Sequence, residues 1–289
     1  MSGRLREIKN RIRSVENTKK ITRAMEMVAA SKLRRFQDLM VRTRPYTDGL
    51  ENLLKRLHQD LPEGSHPFFE EREEKKRAVV VFTSDTGLCG SYNNDLVNLT
   101  QKNLSLKGAQ NILIGVGKSG ITTLKRSGQK FTAEFTDLRL SRVEEVLVEL
   151  KTKIENIFLQ KEVDSVYCIY SHFLTVTSYK PTIEKLLPLQ KPEKAADDKS
   201  TPVEYIFEPS PAAIFEKLIP LYFEAKTRLI FLESFVSEQI ARMTAMHQAT
   251  DNAKEMIDSL VLERNKARQA SITKEIIEIV SGSQALKIK

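Results

Sequence analysis

Residues 229–260, LIFLESFVSEQIARMTAMHQATDNAKEMIDSL, carry the repeat that decides the fold. Leu229, Leu232, Val236, Gln239, Met243, Met246, Thr250, Ala253, Ile257 and Leu260 step by three and four without a slip. A seam with that spacing, sustained over more than four heptads, is the pattern of a coiled coil. It lies inside residues 221–281, a block with neither proline nor glycine, and residues 4–44 form a second such block. Globular helices average about 11–12 residues, whereas these two would run to roughly 90 and 60 Å at about 1.5 Å per residue. One amphipathic helix lying on a core is the commoner meaning of such a stripe, but the segment between the blocks is too small to cover it. We therefore expect the two ends of the chain to pair antiparallel as a shaft. The seam continues formally as Arg264, Ala267, Ser271 and Lys274, where large apolar residues are gone.

The first block places apolar residues at Leu5, Ile8, Ile12 and Val15, then at Ile21, Met25 and Val28, and later at Phe36 and Leu39. The register slips near Thr18, which reads as a stutter that relaxes a supercoil. Arg44-Pro45 predicts a kink or an end, because the residue before proline avoids the helical region. A second helical stretch is expected from Pro45 to Leu57, and a linker over residues 58–76. Aligning the large-residue ends of the two seams, Leu5 with Leu260, puts Met25 near Ile240 and leaves the chain beyond Arg264 without a partner.

Between the blocks, Ala78–Phe82 is a short apolar run suited to a buried parallel strand. A turn over Thr83–Gly90 and a helix from about Asn93 to Leu106 follow. Strands are expected at Asn111–Gly115, Lys130–Phe135, Ser165–Tyr170 and Leu174–Tyr179, with a helix through Ile121–Leu124. Ser141-Arg-Val-Glu144 has capping-box form for a helix to Leu159. Residues 190–204 read as a loop, and after Glu204–Phe207 a helix from Pro209–Pro211 is expected to break at Pro220. Alternating strands and helices indicate a Rossmann-like α/β domain with a mostly parallel sheet. The expected division is 1–57 N-terminal shaft helix, 58–76 linker, 77–208 α/β domain and 209–289 C-terminal shaft helix.

The formal charge of +8 is unevenly placed. Residues 1–57 hold 15 Lys/Arg against 6 Asp/Glu, a balance of +9, so the remaining 232 residues come to −1. A basic N-terminal helix predicts an acidic partner. Tryptophan is absent, so broad stacking surfaces for bases or sugars are scarce. Cys89 and Cys168 have no CxxC spacing and predict neither a zinc site nor a disulfide framework. No stretch of about 18 apolar residues occurs, so a chain that is soluble or peripheral to a membrane is expected.

Gly115-Val-Gly117-Lys-Ser-Gly120 is the one phosphate-binding pattern, a GxGxxG between a strand and a helix, with Glu134 and Asp137 near the place of a ribose-binding acid. It falls on the second βα turn rather than the first, and its strand-to-strand segment is short. Glycines closing a tight turn is the plainer reading. A P-loop would need glycine where Ile112 stands. His58, His66, His172 and His247 show no metal-ligand spacing, and no nucleophile–base pair is visible. The expectation is no catalytic residue, no metal and no cofactor, with a dinucleotide-binding enzyme bearing coiled-coil arms as the alternative.

The first block reads Ile8-Lys-Asn-Arg-Ile-Arg-Ser-Val-Glu-Asn-Thr-Lys-Lys-Ile-Thr-Arg-Ala-Met-Glu-Met-Val-Ala-Ala-Ser-Lys-Leu33, followed by Arg44-Pro-Tyr46. It resembles the N-terminal signature of the gamma subunits of F-type ATP synthases. Asn265-Lys-Ala-Arg-Gln-Ala-Ser-Ile-Thr-Lys-Glu275 and Glu278-Ile-Val-Ser-Gly282 resemble the C-terminal signature, and Ser84-Asp-Thr-Gly-Leu-Cys-Gly-Ser-Tyr-Asn93 a turn of the same family. The resemblance implies a non-catalytic rotor shaft of a proton-translocating synthase, turning inside a ring of alpha and beta subunits. Its α/β domain would sit against the epsilon subunit and the ring of c subunits. It implies no nucleic-acid partner, membrane association through the complex, and a place on the cytoplasmic face of a bacterial plasma membrane. Carried over by position, Arg23, Met25 and Lys32 would lie near the carboxylate-rich beta levers, and Lys266, Arg268, Gln269 and Thr273 at contacts near the tip. Thr86, Ser91-Tyr92 and Glu263-Arg264 depart from the family pattern, so contacts there are expected to differ. The opening residues do not read as a transit peptide, and residues 190–204 are too short for the cysteine-bearing insertion of chloroplast forms.

Overall fold

The computed structural model describes residues 3–57, 66–105, 109–189, 208 and 210–287. The chain divides into two compact units, one of residues 1–29 with 242–289 and one of residues 30–241. Two helices contribute to both: α1, Gly3–Leu57, and α5, Pro211–Lys287. His58 and the expected loop over residues 190–204 lie outside the described residues.

The first unit is an antiparallel helix pair. Ile8 and Ile12 of α1 bury against Leu260 of α5, with Val15, Val261 and Ala267 packed around them. Each such side chain contributes up to about 1.5–3 kcal/mol when removed from water. Farther along, the hydroxyls of Thr22 and Thr250 share a 2.8 Å hydrogen bond, and His247 Nδ1 lies 3.2 Å from Glu26 Oε1. Arg4 meets Glu263 at 3.3 Å near the other end.

These contacts correct the expected register. Thr22 with Thr250 and Glu26 with His247 give partner numbers summing to 272 and 273, not 265, while the long, exposed Arg4 side chain reaches Glu263 at a sum of 267. Glu26, beside Met25, therefore faces His247, about one heptad from the expected Ile240. Matching the last large apolar residues of the two seams misplaced the ends, because Ala267 still packs beyond Leu260. The expected stutter near Thr18 is also absent. Leu5, Ile8, Ile12, Thr22 and Ala29 are buried, with Val15, Lys19 and Glu26 half-buried between them, and these positions keep a strict three–four spacing. Ile21 and Val28, taken as seam residues from their size, are 60% and 56% exposed. Small side chains let two helices approach and a lysine stem can cover apolar surface, so size alone was the wrong guide.

The second unit is built on a five-stranded sheet of order β3-β2-β1-β4-β5. Its strands are β1 Lys76–Phe82, β2 Gln110–Val116, β3 Phe131–Phe135, β4 Ser165–Thr175 and β5 Ser178–Leu187. β1 pairs in parallel with both β2 and β4, and only β5 runs antiparallel, as a hairpin with β4. The sheet is thus mostly parallel, and Ala78–Phe82, all buried, form its centre. Helices α2 (Tyr92–Leu104), α3 (Lys118–Arg126) and α4 (Val143–Leu159) supply the crossovers. Strands β4 and β5 run well past the expected Tyr170 and Tyr179. Their mutual hydrogen bonds continue beyond the end of β1, which a strand-by-strand reading of hydrophobicity cannot register.

Two expected breaks and one expected helix start do not occur as read. Pro45 lies inside α1 on its exposed face, so the carbonyl it leaves unbonded can be hydrated. Pro220 lies inside α5, flanked by Phe215, Ile219 and Phe223, whose burial offsets a break costing about 3 kcal/mol. The Ser141 capping box does not form. Leu140–Arg142 make a 3₁₀ turn and α4 begins at Val143, with Arg142 instead bonded to Glu145 at 3.1 Å. In the same unit the α1 positions Leu33, Phe36, Met40, Thr47, Leu50, Leu54 and Leu57 are buried, while Leu39 is exposed. Phe36 meets Phe235 of α5 with ring centroids 4.8 Å apart.

Candidate functional site

The glycine turn is the one place where the sequence offered a ligand, and it is filled by the chain itself. Gly117 has φ +94, and a Cβ there would fall 2.0 Å from the Thr83 carbonyl oxygen. A Cβ on Gly120 would lie 2.3 Å from Thr83 Cγ2, and one on Gly115 2.4 Å from Ile121 Cγ1. These glycines let two turns and a helix close on one another. The N–H groups that would hold a pyrophosphate at a helix start are already used. Lys118 N–H donates to Asp85 Oδ1 (3.0 Å), Ser119 N–H to the Ser84 carbonyl (3.0 Å) and Gly120 N–H to Thr83 Oγ1 (3.1 Å). A carboxylate stands where a bound phosphate would be, and its second oxygen accepts from Leu138 N–H. Glu134 pairs with Lys125 and Asp137 with Arg139, at 2.7 and 2.6 Å. The dinucleotide alternative is overturned by this packing.

Open α/β sheets otherwise bind ligands outside the carboxyl ends of the strands, where strand order reverses. Here that switch lies between β1 and β4, and α5 packs there. The Tyr92 hydroxyl reaches the Ser234 carbonyl and hydroxyl at 3.0 and 2.9 Å, and Ser237 Oγ donates to the Ser171 carbonyl at 2.9 Å. Ala241 joins Val81, Tyr92, Leu96 and Ile169 in one buried cluster. Burial pushes the Tyr92 hydroxyl and the Cys168 thiol well above their ordinary pKa values, so neither ionises to act as a nucleophile near neutral pH.

The residues carried over by resemblance fall in both units. Arg23 is exposed and bonds Glu26 at 3.1 Å, Met25 is half-buried, and Lys32, in the second unit, is exposed. Lys266, Arg268, Gln269 and Thr273 are exposed on α5, where Thr273 Oγ1 donates to the Gln269 carbonyl at 3.0 Å. From Ile272 to Ser283 every α5 residue is exposed, including Ile272, Ile276, Ile277, Ile279 and Val280. The sequence reading placed Thr250 in the seam and noted His172 and His247 only for their lack of metal-ligand spacing; it missed Thr22 and Glu26 and, in the second unit, Arg44 and Glu233. A strict heptad count from Leu5 would have found Thr22 and Glu26; nothing local marks Arg44 and Glu233.

Comparison with known proteins gives one consistent result. The sequence pattern of the ATP synthase family matches residues 4–286. The chain is 41% identical over 282 residues to the ATP synthase gamma chain of Desulfitobacterium hafniense, covering 98% of this chain and 99% of that one. It is 41% identical over 283 residues to the gamma chain of Moorella thermoacetica, with the same coverage. Among solved structures, the rotor of the Euglena gracilis mitochondrial ATP synthase in rotational state 1 is similar in fold, with a TM-score of 0.66 at 18% identity. That likeness covers 93% of this chain and 99% of the Euglena chain.

Proposed function

The chain belongs to the ATP synthase gamma-chain family, and on that premise we propose that it is the central rotor shaft of the synthase. It carries out no covalent step. Rotation of the c ring turns it, and its asymmetric surface sets the conformations of the catalytic beta subunits in turn. Its partners are the alpha and beta subunits, the epsilon subunit and the c ring, and it joins the membrane through them. Among the described residues no helix is long and apolar enough to cross a bilayer. We place it on the cytoplasmic face of a bacterial plasma membrane. In this reading residues 1–57 and 209–289 are the shaft, 77–208 the Rossmann-like domain and 58–76 their linker.

The observation that carries the reading is the end of α5. Residues 272–283 keep helical form with every side chain exposed and several isoleucines among them. An isolated helix of that length is marginal in water, and exposed isoleucines favour a partner surface. A sleeve of other subunits supplies that surface and still allows turning. Lys266, Arg268, Gln269 and Thr273 would contact the sleeve, and Arg23, Met25 and Lys32 the acidic beta levers, whose charge complements the basic α1. The test is reconstitution. The purified chain should hydrolyse no ATP, alpha and beta subunits with it should hydrolyse ATP steadily, and the full complex in vesicles should take up protons on adding ATP. ATPase activity in the rigorously purified chain, or uptake unaffected by its omission, would sink the proposal.

A further inference from the structure

In the residue 30–241 unit the two long helices meet the sheet through two charge clusters, one centred on a buried carboxylate and one half-buried, and we propose that these are the pins through which torque passes between sheet and shaft. The inference rests on the rotor reading above. Glu233 of α5 is only 4% exposed in its side chain. Its Oε1 accepts from Arg44 Nη2 of α1 at 2.7 Å, and its Oε2 lies 2.6 Å from His172 Nδ1 of β4. One carboxylate thus joins three elements. Glu184 of β5 repeats the arrangement, with Lys226 Nζ of α5 at 2.6 Å on one oxygen and the Tyr170 hydroxyl of β4 at 2.5 Å on the other.

Apart from the Tyr92–Ser234 and Ser237–Ser171 hydrogen bonds, much of the rest of this junction is apolar. Phe231 of α5 stacks on Phe235 at 4.9 Å and meets Phe82 of β1 edge-on at 6.2 Å, and Phe36 covers Phe235 from α1. Apolar contact is non-directional. It resists separation of the surfaces far better than it resists their sliding. Charge-assisted hydrogen bonds are short and directional, so they hold the surfaces in one register under shear. Stability alone does not account for them, since apolar replacement of a buried ion pair is often neutral or stabilising. Glu233 and Glu184 are therefore positioning residues whose work is seen under load.

The experiment uses the whole complex in vesicles, with ATP hydrolysis and ATP-driven proton uptake read on the same preparation. Glu233→Gln keeps the shape and removes the charge. We expect hydrolysis within about twofold of the parent, while protons taken up per ATP fall by about half or more. Glu184→Lys and Lys226→Glu should each lower the ratio, and the double exchange should recover it. The proposal is overturned if the ratio stays at the parent value in Glu233→Gln. It is equally overturned if hydrolysis and uptake fall together with the amount of chain in the complex, or if the double exchange is no better than the singles. A parent complex that takes up no protons fails the rotor reading itself, whereas a coupled parent with coupled variants fails only the pins.

Discussion

Replacing Gly117 by alanine should destabilise this protein severely, and the structure allows the effect to be graded against two other glycines. At Gly117 two penalties coincide. The φ of +94 belongs to a region that L residues avoid, at about 1–3 kcal/mol. The new Cβ would also meet a backbone oxygen at 2.0 Å, and that backbone is held by the Thr83 N–H bond to the Val116 carbonyl at 2.7 Å. Overpacking of this kind adds about 1–3 kcal/mol, for a total of roughly 2–6 kcal/mol. Gly128 has φ +84 with nothing within 4 Å of the added Cβ, so alanine there should cost only about 1–2 kcal/mol. Gly87 has neither feature, and alanine there should fall within about 0.5 kcal/mol of the parent. At about 2–4 °C per kcal/mol for a unit of this size, Gly117→Ala lowers Tm by roughly 4–24 °C. Urea unfolding of the three purified variants provides the measurement, with calorimetry against NAD as a control expected to show no heat in any of them. A Gly117→Ala midpoint indistinguishable from that of Gly87→Ala would refute the closed-turn account.

Three further outcomes are expected. Thr22→Val and Thr250→Val should each cost about 1 kcal/mol, because each removes one partner of a buried pair, whereas the double change should cost less than the sum of the two; losses that simply add would show that the hydroxyl pair contributes nothing. Hydrogen exchange after about residue 271 should be fast in the purified chain and slow in the assembled complex, and equal protection in both would contradict an overhanging helix end. Burial pushes the Tyr222 hydroxyl up to about 12, and raises Tyr92 and Tyr170 as well. Because these groups stay protonated in the fold above the ordinary value of 10, their contribution is complete below pH 10 and is lost as pH climbs from there toward 12. The urea midpoint should fall as pH rises from 10 toward 12; a flat profile would be evidence against the burial of these hydroxyls.

The two terminal helices and the parallel sheet were legible in the chain because each rests on a local periodicity. The three–four steps from Leu229 to Leu260 and the apolar run Ala78–Phe82 need no knowledge of what lies opposite. The whole-length resemblance was equally local, since it is carried by contiguous runs such as Ile8–Leu33 and Asn265–Glu275. Register is different. It depends on which small or polar residues the facing helix tolerates, so Lys19, Thr22 and Glu26 are told from the larger Ile21 and Val28 as seam positions only once a partner covers them, and Ala267 packs although it lies beyond the large apolar residues. The same holds for Pro45 and Pro220, whose cost depends on solvent at one and on surrounding aromatic packing at the other. For the glycine turn, the sequence alone left a pyrophosphate site and a tight structural turn both open. Only the fold decided between them, because Asp85 comes from the turn after β1 to take the N–H group of a helix 33 residues farther along the chain. Arg44, His172 and Glu233 lie far apart in sequence with nothing to link them, and a buried charge acquires its partners through tertiary structure.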